Sequence, residues 1–521
     1  MTNRRGRSRN WWQSKAYVAM LLLLMALPLL WPPFPPLDDV PTHMGRFYIQ
    51  AGMAGAPTLS SIFSIDWMPV GNLGVDALVY ALHPLMGVEP ATKLVIILIP
   101  LLSAAGLLLI AREAHGELPA TAAFALPLIY NYAFHYGFIN FSLGAALAFL
   151  IFGLVLRYQR LKMPAIWRLL ILLGSLLIYF AHIFGWVVFG LLVVGNALYR
   201  HVTSWKISFA MVRAVVLECL LLALPLIPIV AWRSGDNQGE TSAFFAIFEK
   251  WGWIESAMRD RWVKWEGLSA LLCVGLIGLG IVGVMRMSRR LLLVFLVMAA
   301  FYIFIPYAFF GLIYADMRIA PLMLAIGLIA VAPRPAWGRT AASVIALLAL
   351  AFVTARSVAT TISYARYAED HARWLKVLPS IPRGARVIAF VAPPCPRGWN
   401  VPRIIHLPSL AIIRRDAFVN DQFDMPGAQL VAVGPSIPRD FAYHSSAQVR
   451  LPGCDRPEPL LADRIAQIPR GAFDHLWLLG VDPANRPKAD WLRPVWSDDR
   501  SALYAIVRQK TSSAAKAGPR G

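Results

Sequence analysis

Apolar runs longer than about 17 residues recur along the first 360 positions, and no other feature narrows the fold as far. Runs of that length read as transmembrane helix, because about 20 apolar residues span a hydrocarbon core. The charge content agrees. Asp, Glu, Lys and Arg make up 15% of the 521 residues, against about 25% in a soluble domain. The chain is read as a polytopic α-helical membrane protein.

A formal charge of +20 invites a nucleic-acid reading. The basic residues, however, are not pooled on one face or tail. They fall between apolar runs: Arg4, Arg5, Arg7, Arg9 and Lys15; Arg157, Arg160, Lys162 and Arg168; Arg200, Lys206 and Arg213; Arg286, Arg289 and Arg290; Arg334 and Arg339. Cytoplasmic loops carry this bias, so no nucleic-acid partner is expected.

Charge parity then orders the crossings. Residues 1–15 form a basic cytoplasmic N-terminus, and 16–31 run outward. Pro32, Pro33, Pro35 and Pro36 follow and offer no small-residue cleavage site, so this segment is an anchor. Strong spans come next at 93–111, 118–134 and 139–158. Counting back from the basic loop at Arg157 to Arg168 places Arg112 inside. The span 93–111 therefore runs inward, and 32–92 form one long outer loop.

Within that loop, Val75, Leu78, Val79, Leu82 and Leu85 share a helical face, yet parity forbids a crossing. The stretch 73–87 is read as an interfacial helix on the outer leaflet. Residues 167–199 present the opposite problem. As one helix they would be roughly 50 Å long, too long for a core of about 30 Å. Basic residues flank both ends, so a helical hairpin with its outer turn near His182 is expected. Spans at 213–231, 267–285, 291–306, 312–332 and 340–358 bring the count for 16–360 to about eleven transmembrane helices.

Residues 361–509 mix polar and apolar positions, with a helical stretch at 364–378 and β-like runs at 386–391, 429–433, 475–480 and 502–507. A C-terminal extracytoplasmic α/β domain is expected, followed by a disordered tail at 510–521. Cys219 and Cys273 lie in apolar spans and read as small core residues. Cys395 and Cys454 both fall in the outer domain and are disulfide candidates if that side is oxidising. No Cys/His metal spacing occurs.

Ionisable groups near a membrane are costly and usually functional. Parity brings Asp38, Asp39, His43, Arg46, Asp66, Asp76, Asn131, Tyr132, His135, Tyr136, Asn140, His182, Tyr314, Asp316 and Arg318 to the outer face. Asp38 and Asp39 lead this set, because an acid pair tethered just beyond a crossing can reach a headgroup at the surface. Plainer readings compete. The pair could be a solvated turn or a helix cap, Asp66 and Asp76 caps or loop residues, and His135 part of an interfacial belt. His182 could be a satisfied interface residue, and Arg318 a helix-end anchor.

The acid pair after the first helix, the amphipathic stretch ahead of the second crossing and Tyr314-Ala-Asp-Met-Arg318-Ile-Ala-Pro321 together resemble the GT-C superfamily of membrane glycosyltransferases. The likeness points to the protein mannosyltransferase and lipid A aminoarabinose transferase group. It covers about residues 10–360, plus the outer domain that many members carry.

The resemblance implies an enzyme of the bacterial inner membrane, its outer domain periplasmic. The enzyme would take a sugar from a polyprenyl-phosphate donor to a glycan, lipid or protein acceptor, with inversion. One of Asp38 and Asp39 would be the general base. Arg318, then Arg46, would hold the leaving phosphate. His43, His135, His182 and Tyr314 are auxiliary candidates, the histidines from topology alone. No cofactor is implied. Asp38, Asp39 and His43 could bind a divalent metal, but it is not indicated, because they leave ligand positions unfilled. Two other classes stay open. One is a transporter or flippase, which would place charges at midplane on broken helices. The other is a non-catalytic partner in envelope polysaccharide assembly.

Overall fold

The computed structural model describes residues 10–53, 55–201, 208–231, 241–309, 313–395, 398–423 and 429–507. The basic cluster within 4–9, Lys206 and the tail at 510–521 lie outside the described residues. In chain order the helices of the body are α1 (Lys15–Leu30), α2 (Val40–Gln50), α3 (Pro57–Ile62), α4 (Gly74–Met86), α5 (Val88–His115), α6 (Tyr132–Tyr136), α7 (Ile139–Arg160) and α8 (Pro164–Ala181). They continue with α9 (Ile183–His201), α10 (Phe209–Cys219), α11 (Leu226–Ala231), α12 (Ile247–Glu255), α13 (Val263–Ile281), α14 (Arg289–Phe304), α15 (Ala315–Ala330) and α16 (Gly338–Trp374).

The chain is a multi-pass membrane protein. Among the described residues six helices, namely α5, α7, α8, α9, α13 and the segment around α16, are long and apolar enough to cross a membrane. Helices α1, α14 and α15 have 16 residues each, about 24 Å at 1.5 Å per residue. The hairpin turn between α8 and α9 falls at His182. A Cβ on Gly185 would lie 2.7 Å from the Gly144 Cα, so α7 and α9 meet backbone to backbone, as small residues allow between membrane helices.

Contacts sort the helix ends into two layers. At one end, Arg160 Nε donates to Glu113 at 2.6 Å and Trp11 Nε1 donates to Ser343 at 2.7 Å. There too β2 (Arg286–Met287) pairs antiparallel with β3 (Val331–Ala332). At the other end lie the first loop, the hairpin turn and the sheet domain. Glu218, the acid within an apolar span, is paired with Arg200 at 2.7 Å. On α4, Leu78 and Leu85 are exposed while Val75 and Val79 are buried, the pattern of a helix lying against an apolar surface.

The segment 118–134 departs from the expected transmembrane helix. It is a 3₁₀ helix over Ala122–Ile129, then α6. It still joins the two layers, with the Thr121 hydroxyl on the Val331 carbonyl at one end and Asn131 capping α6 at the other. Every residue from 118 to 135 is buried, packed among α5, α15 and α16. Irregular backbone is tolerated at such depth only where protein encloses it. An apolar run does not reveal that enclosure.

Helix α16 has 37 residues, about 55 Å. It leaves the body and buries Tyr364, Tyr367 and His371 farther along, so the expected boundary near 361 falls inside one continuous helix. Beyond it, β4 (Arg386–Val391), β5 (Phe418–Val419), β7 (His475–Leu479), β8 (Leu492–Ser497) and β9 (Ser501–Ile506) form a mixed sheet in the order β5-β4-β7-β9-β8. Two short helices, α17 (Leu410–Arg415) and α18 (Leu461–Ala466), complete this domain. The run at 429–433, expected among its strands, gives β6 (Val431–Val433), which pairs with β1 (Phe63–Ile65) of the first loop instead. That pairing ties loop to domain. Cys395 and Cys454 are joined by a disulfide, their Cα atoms 5.9 Å apart.

Candidate active site

The acid pair sits where the proline run meets α2. Three sets of contacts fix it. The Arg403 Nη1 donates to the Pro36 carbonyl at 2.7 Å, while its Nη2 pairs with Asp260 at 2.5 Å. The Asp38 and Asp39 amides donate to the His135 and Tyr136 carbonyls at 3.2 and 3.0 Å. Gly137 has φ +105°, and a Cβ there would lie 2.6 Å from the Asp39 nitrogen. A side chain at Gly137 would collide with the backbone of the pair.

Both carboxylates are buried, at 2% and 6% exposure, so the pair is not a solvated turn. Asp39 occupies the N-cap position of α2, yet its side chain makes no capping bond. The capping reading therefore fails on geometry. A buried carboxylate without a cap costs free energy, and burial here must be offset by charge partners or by use.

A cavity of about 370 Å³ opens over the pair. Asp38, Asp39 and His43 line it from the first loop, Tyr136 from the end of α6 and Asn140 from the start of α7. His182 reaches it from the hairpin turn, Tyr314 from the N-cap of α15, Arg318 from the first turn of that helix, and His406 from the sheet domain. Arg318 is 7% exposed, so it is no snorkelling anchor. Its guanidinium lies 4.3 Å from the Phe138 ring centre and 5.3 Å from that of Phe184. Its Nε and Nη1 have no hydrogen-bond partner among the described residues. Tyr314 begins α15 at φ +62°, a left-handed conformation that a bulky residue adopts only under constraint. Its ring packs 5.6 Å from Tyr136 and 6.0 Å from Trp253.

The charges are tuned. Burial pushes the Asp38 carboxyl up to about 6, against the pull of His406 and Arg403. Burial likewise carries Asp39 up to about 7, with His406 opposing and Asp38 and Asp421 adding to the rise. Burial alone would lower His406, but Asp421, Asp39 and Asp38 outweigh it and hold the imidazole at about 9. His43 is driven well below the ordinary histidine range, first by burial and then by Arg46 and His406. The pocket thus sets a cationic imidazole and the Arg318 guanidinium against two carboxyls raised toward neutrality, with His43 uncharged.

Two of the expected residues do not reach the cavity. Arg46 is locked onto Asp76: Nη2 donates to Oδ2 at 3.0 Å, Nε lies 2.9 Å from Oδ1, and Nη1 donates to Gln429 at 2.6 Å. The His135 ring turns away, its Nδ1 2.8 Å from the Arg259 carbonyl, and burial lowers it to about 4. The contribution of His135 to the site is its backbone carbonyl. Asp76, expected as a cap or loop residue, is the buried partner of Arg46. The His182 Nδ1 accepts the Phe184 amide at 3.0 Å. Residues outside the expected set complete the site: His406, Asp421 and Arg403, all from the sheet domain. No periodicity or loop charge marks them in the sequence. Among the described residues, no group of three or more His, Cys, Asp or Glu side chains could hold a metal ion.

No family model matches the chain, and no curated protein matches it by sequence. Solved structures do match in fold. The crystal structure of ArnT from Cupriavidus metallidurans bound to undecaprenyl phosphate superposes with a TM-score of 0.50 at 14% identity, over 97% of this chain and 99% of that one. The apo state of the same protein gives 0.52 at 12% identity, over 94% and 97%. The chain therefore shares the fold of the ArnT structure.

Proposed function

We propose that this chain is a glycosyltransferase of the bacterial inner membrane, crossing it about eleven times with its N-terminus in the cytoplasm and its sheet domain outside. It moves a sugar from a polyprenyl-phosphate donor to an acceptor hydroxyl at the outer face. One observation carries the reading: an uncapped, buried acid pair and an arginine with two unpartnered guanidinium nitrogens share a single cavity.

One carboxylate of the pair takes the acceptor proton as the acceptor oxygen attacks the anomeric carbon. The bond from that carbon to the phosphate oxygen breaks on the opposite side, so the centre inverts. The planar fork of Arg318 receives the charge that grows on the departing polyprenyl phosphate. Carboxyls raised toward neutrality suit a base that must bind and release a proton near pH 7. Arg46, committed to Asp76, has no part in holding phosphate. His43, His182 and Tyr314 line the cavity wall, where they orient sugar or acceptor. The bound undecaprenyl phosphate in the ArnT structure supports this donor class.

The test uses full-length protein in lipid nanodiscs with a panel of polyprenyl-phosphate sugars and radiolabelled transfer as the readout. Asp38→Asn or Asp39→Asn should lower transfer about 10²- to 10⁴-fold, the usual worth of general base catalysis, with folding and insertion unchanged. Full transfer in both variants would sink the proposal.

A further inference from the structure

We infer that the outer domain completes the catalytic centre: His406, oriented by Asp421, is a positioning residue that favours the charged form of Asp39. The inference rests on the transferase reading of the cavity, and it makes the sheet domain part of the active site.

The geometry is a row of carboxylate, imidazole and carboxylate. Asp421 Oδ1 lies 2.8 Å from His406 Nδ1, and His406 Nε2 lies 3.6 Å from Asp39 Oδ1. Asp421 is itself held. Its Oδ2 accepts the Ser409 hydroxyl at 2.8 Å, and its backbone carbonyl accepts the Thr42 hydroxyl at 2.6 Å. Thr42 belongs to the first turn of α2, so the row is tied to the helix that starts at the acid pair. His406 and Asp421 are 4% and 0% exposed. An imidazole with one nitrogen committed to a buried carboxylate has its other nitrogen aimed and its cationic form favoured.

Asp39 needs such a neighbour. It is buried beside a second carboxylate, and two close carboxylates resist ionising together. The charged or titratable groups facing it are Asp38, Asp421, His406, Arg318 and Tyr136. Of these, His406 does most to favour the anion, ahead of Arg318. Arg403, the next cation, acts on Asp38 and is already spent on Asp260 and Pro36. His406 in turn is faced by Asp421, Asp39 and Asp38, with His43 and His444 beside it. Undocking the outer domain would remove the imidazole, and Asp39 would then hold its proton to higher pH than it does in the docked protein.

Infrared titration of the full-length protein in bilayers, with ¹³C-labelled aspartate carboxyls, tests this without any substrate. The protonated-carboxyl band of Asp39 is assigned by its loss in Asp39→Asn. In His406→Gln its midpoint should move to higher pH by about one unit or more, the effect of losing an opposite charge at close range. An unchanged or lowered midpoint in a folded His406→Gln protein overturns the inference. Should that variant not fold, ¹⁵N NMR of histidine-labelled wild type decides. One imidazole should stay cationic well above the ordinary histidine range, and its absence also overturns the inference. The titration is separate from transfer: loss of function in Asp38→Asn and Asp39→Asn with no His406 effect would refute this step alone.

Discussion

Helix α2 carries two buried polar clusters, one at each end, and they differ in how completely their acids are partnered. At its C-terminal end, Asp76 accepts from Arg46, from Gln50 at 3.0 Å and from Asn140 at 2.9 Å. At its N-terminal end, among the described residues, Asp38 Oδ1 is buried with no hydrogen-bond partner and the Asp39 carboxylate has an imidazole 3.6 Å away. Burial and charge are alike at the two ends. Saturation is not. The closed cluster holds the loop together, whereas the open one leaves lone pairs and guanidinium nitrogens facing a cavity. A buried acid is thus a weak sign of function, and a buried acid with unused valence is a stronger one.

The sharpest way to break this contrast is to neutralise one acid from each cluster and measure stability. Asp76→Asn leaves the buried Arg46 without its charge partner, which costs about 3 to 5 kcal/mol. Thermal unfolding in nanodiscs should show a lowered midpoint. Asp38→Asn removes a carboxylate whose ionisation is opposed by burial, so its midpoint should hold or rise while transfer is lost. Reversed outcomes, a stable Asp76→Asn and an unstable Asp38→Asn, would show that the pair is structural and the other cluster is not.

The same contrast explains what the sequence could and could not reveal. Positive-inside parity is a linear signal, readable from where Arg and Lys fall between apolar runs. It brought Asp38, Asp39, His43, His182, Tyr314 and Arg318 to one face, and all six line the cavity. Parity is silent on pairing. Arg46 read as a phosphate ligand because nothing linear says that Asp76, 30 residues on, consumes it. The 3₁₀ crossing was hidden for a related reason: apolar periodicity does not say whether lipid or protein surrounds a segment. His406 was illegible because its role comes from docking the sheet domain onto the first loop, through β1 with β6 and Thr42 with Asp421. In such a domain, alternation and turn residues predict strands and not partners.

A smaller effect is expected within the open cluster. Arg318→Gln deletes a charged donor that meets the lipid phosphate, worth about 1.5 to 3 kcal/mol for bonds to charged groups. The Kd for undecaprenyl phosphate, measured by native mass spectrometry, should rise roughly 10- to 100-fold, since 1.4 kcal/mol is tenfold. An unchanged Kd would move phosphate binding elsewhere and leave Arg318 a packing residue among Phe138, Phe141 and Phe184.

The smallest effect is the most diagnostic of how the two domains share the open cluster. His406 is held at about 9 against an ordinary 6.5, so the folded state keeps a proton that the unfolded chain releases. Stability from this group is complete below about 6.5 and is lost as pH rises through about 9. Asp38 and Asp39, raised to about 6 and about 7 from 3.8, act in the same sense over a lower window and are spent before His406 titrates. The thermal midpoint of the full-length protein should therefore fall between about pH 7 and pH 9. In His406→Gln the decline nearest pH 9 should flatten, while the lower one persists and reaches to higher pH as Asp39 keeps its proton longer. The three groups are coupled, so the slope is shared among them and modest. A wild-type midpoint that rises over the same interval would mean that the imidazole enters the fold neutral. The acid pair would then stand without the outer domain's charge.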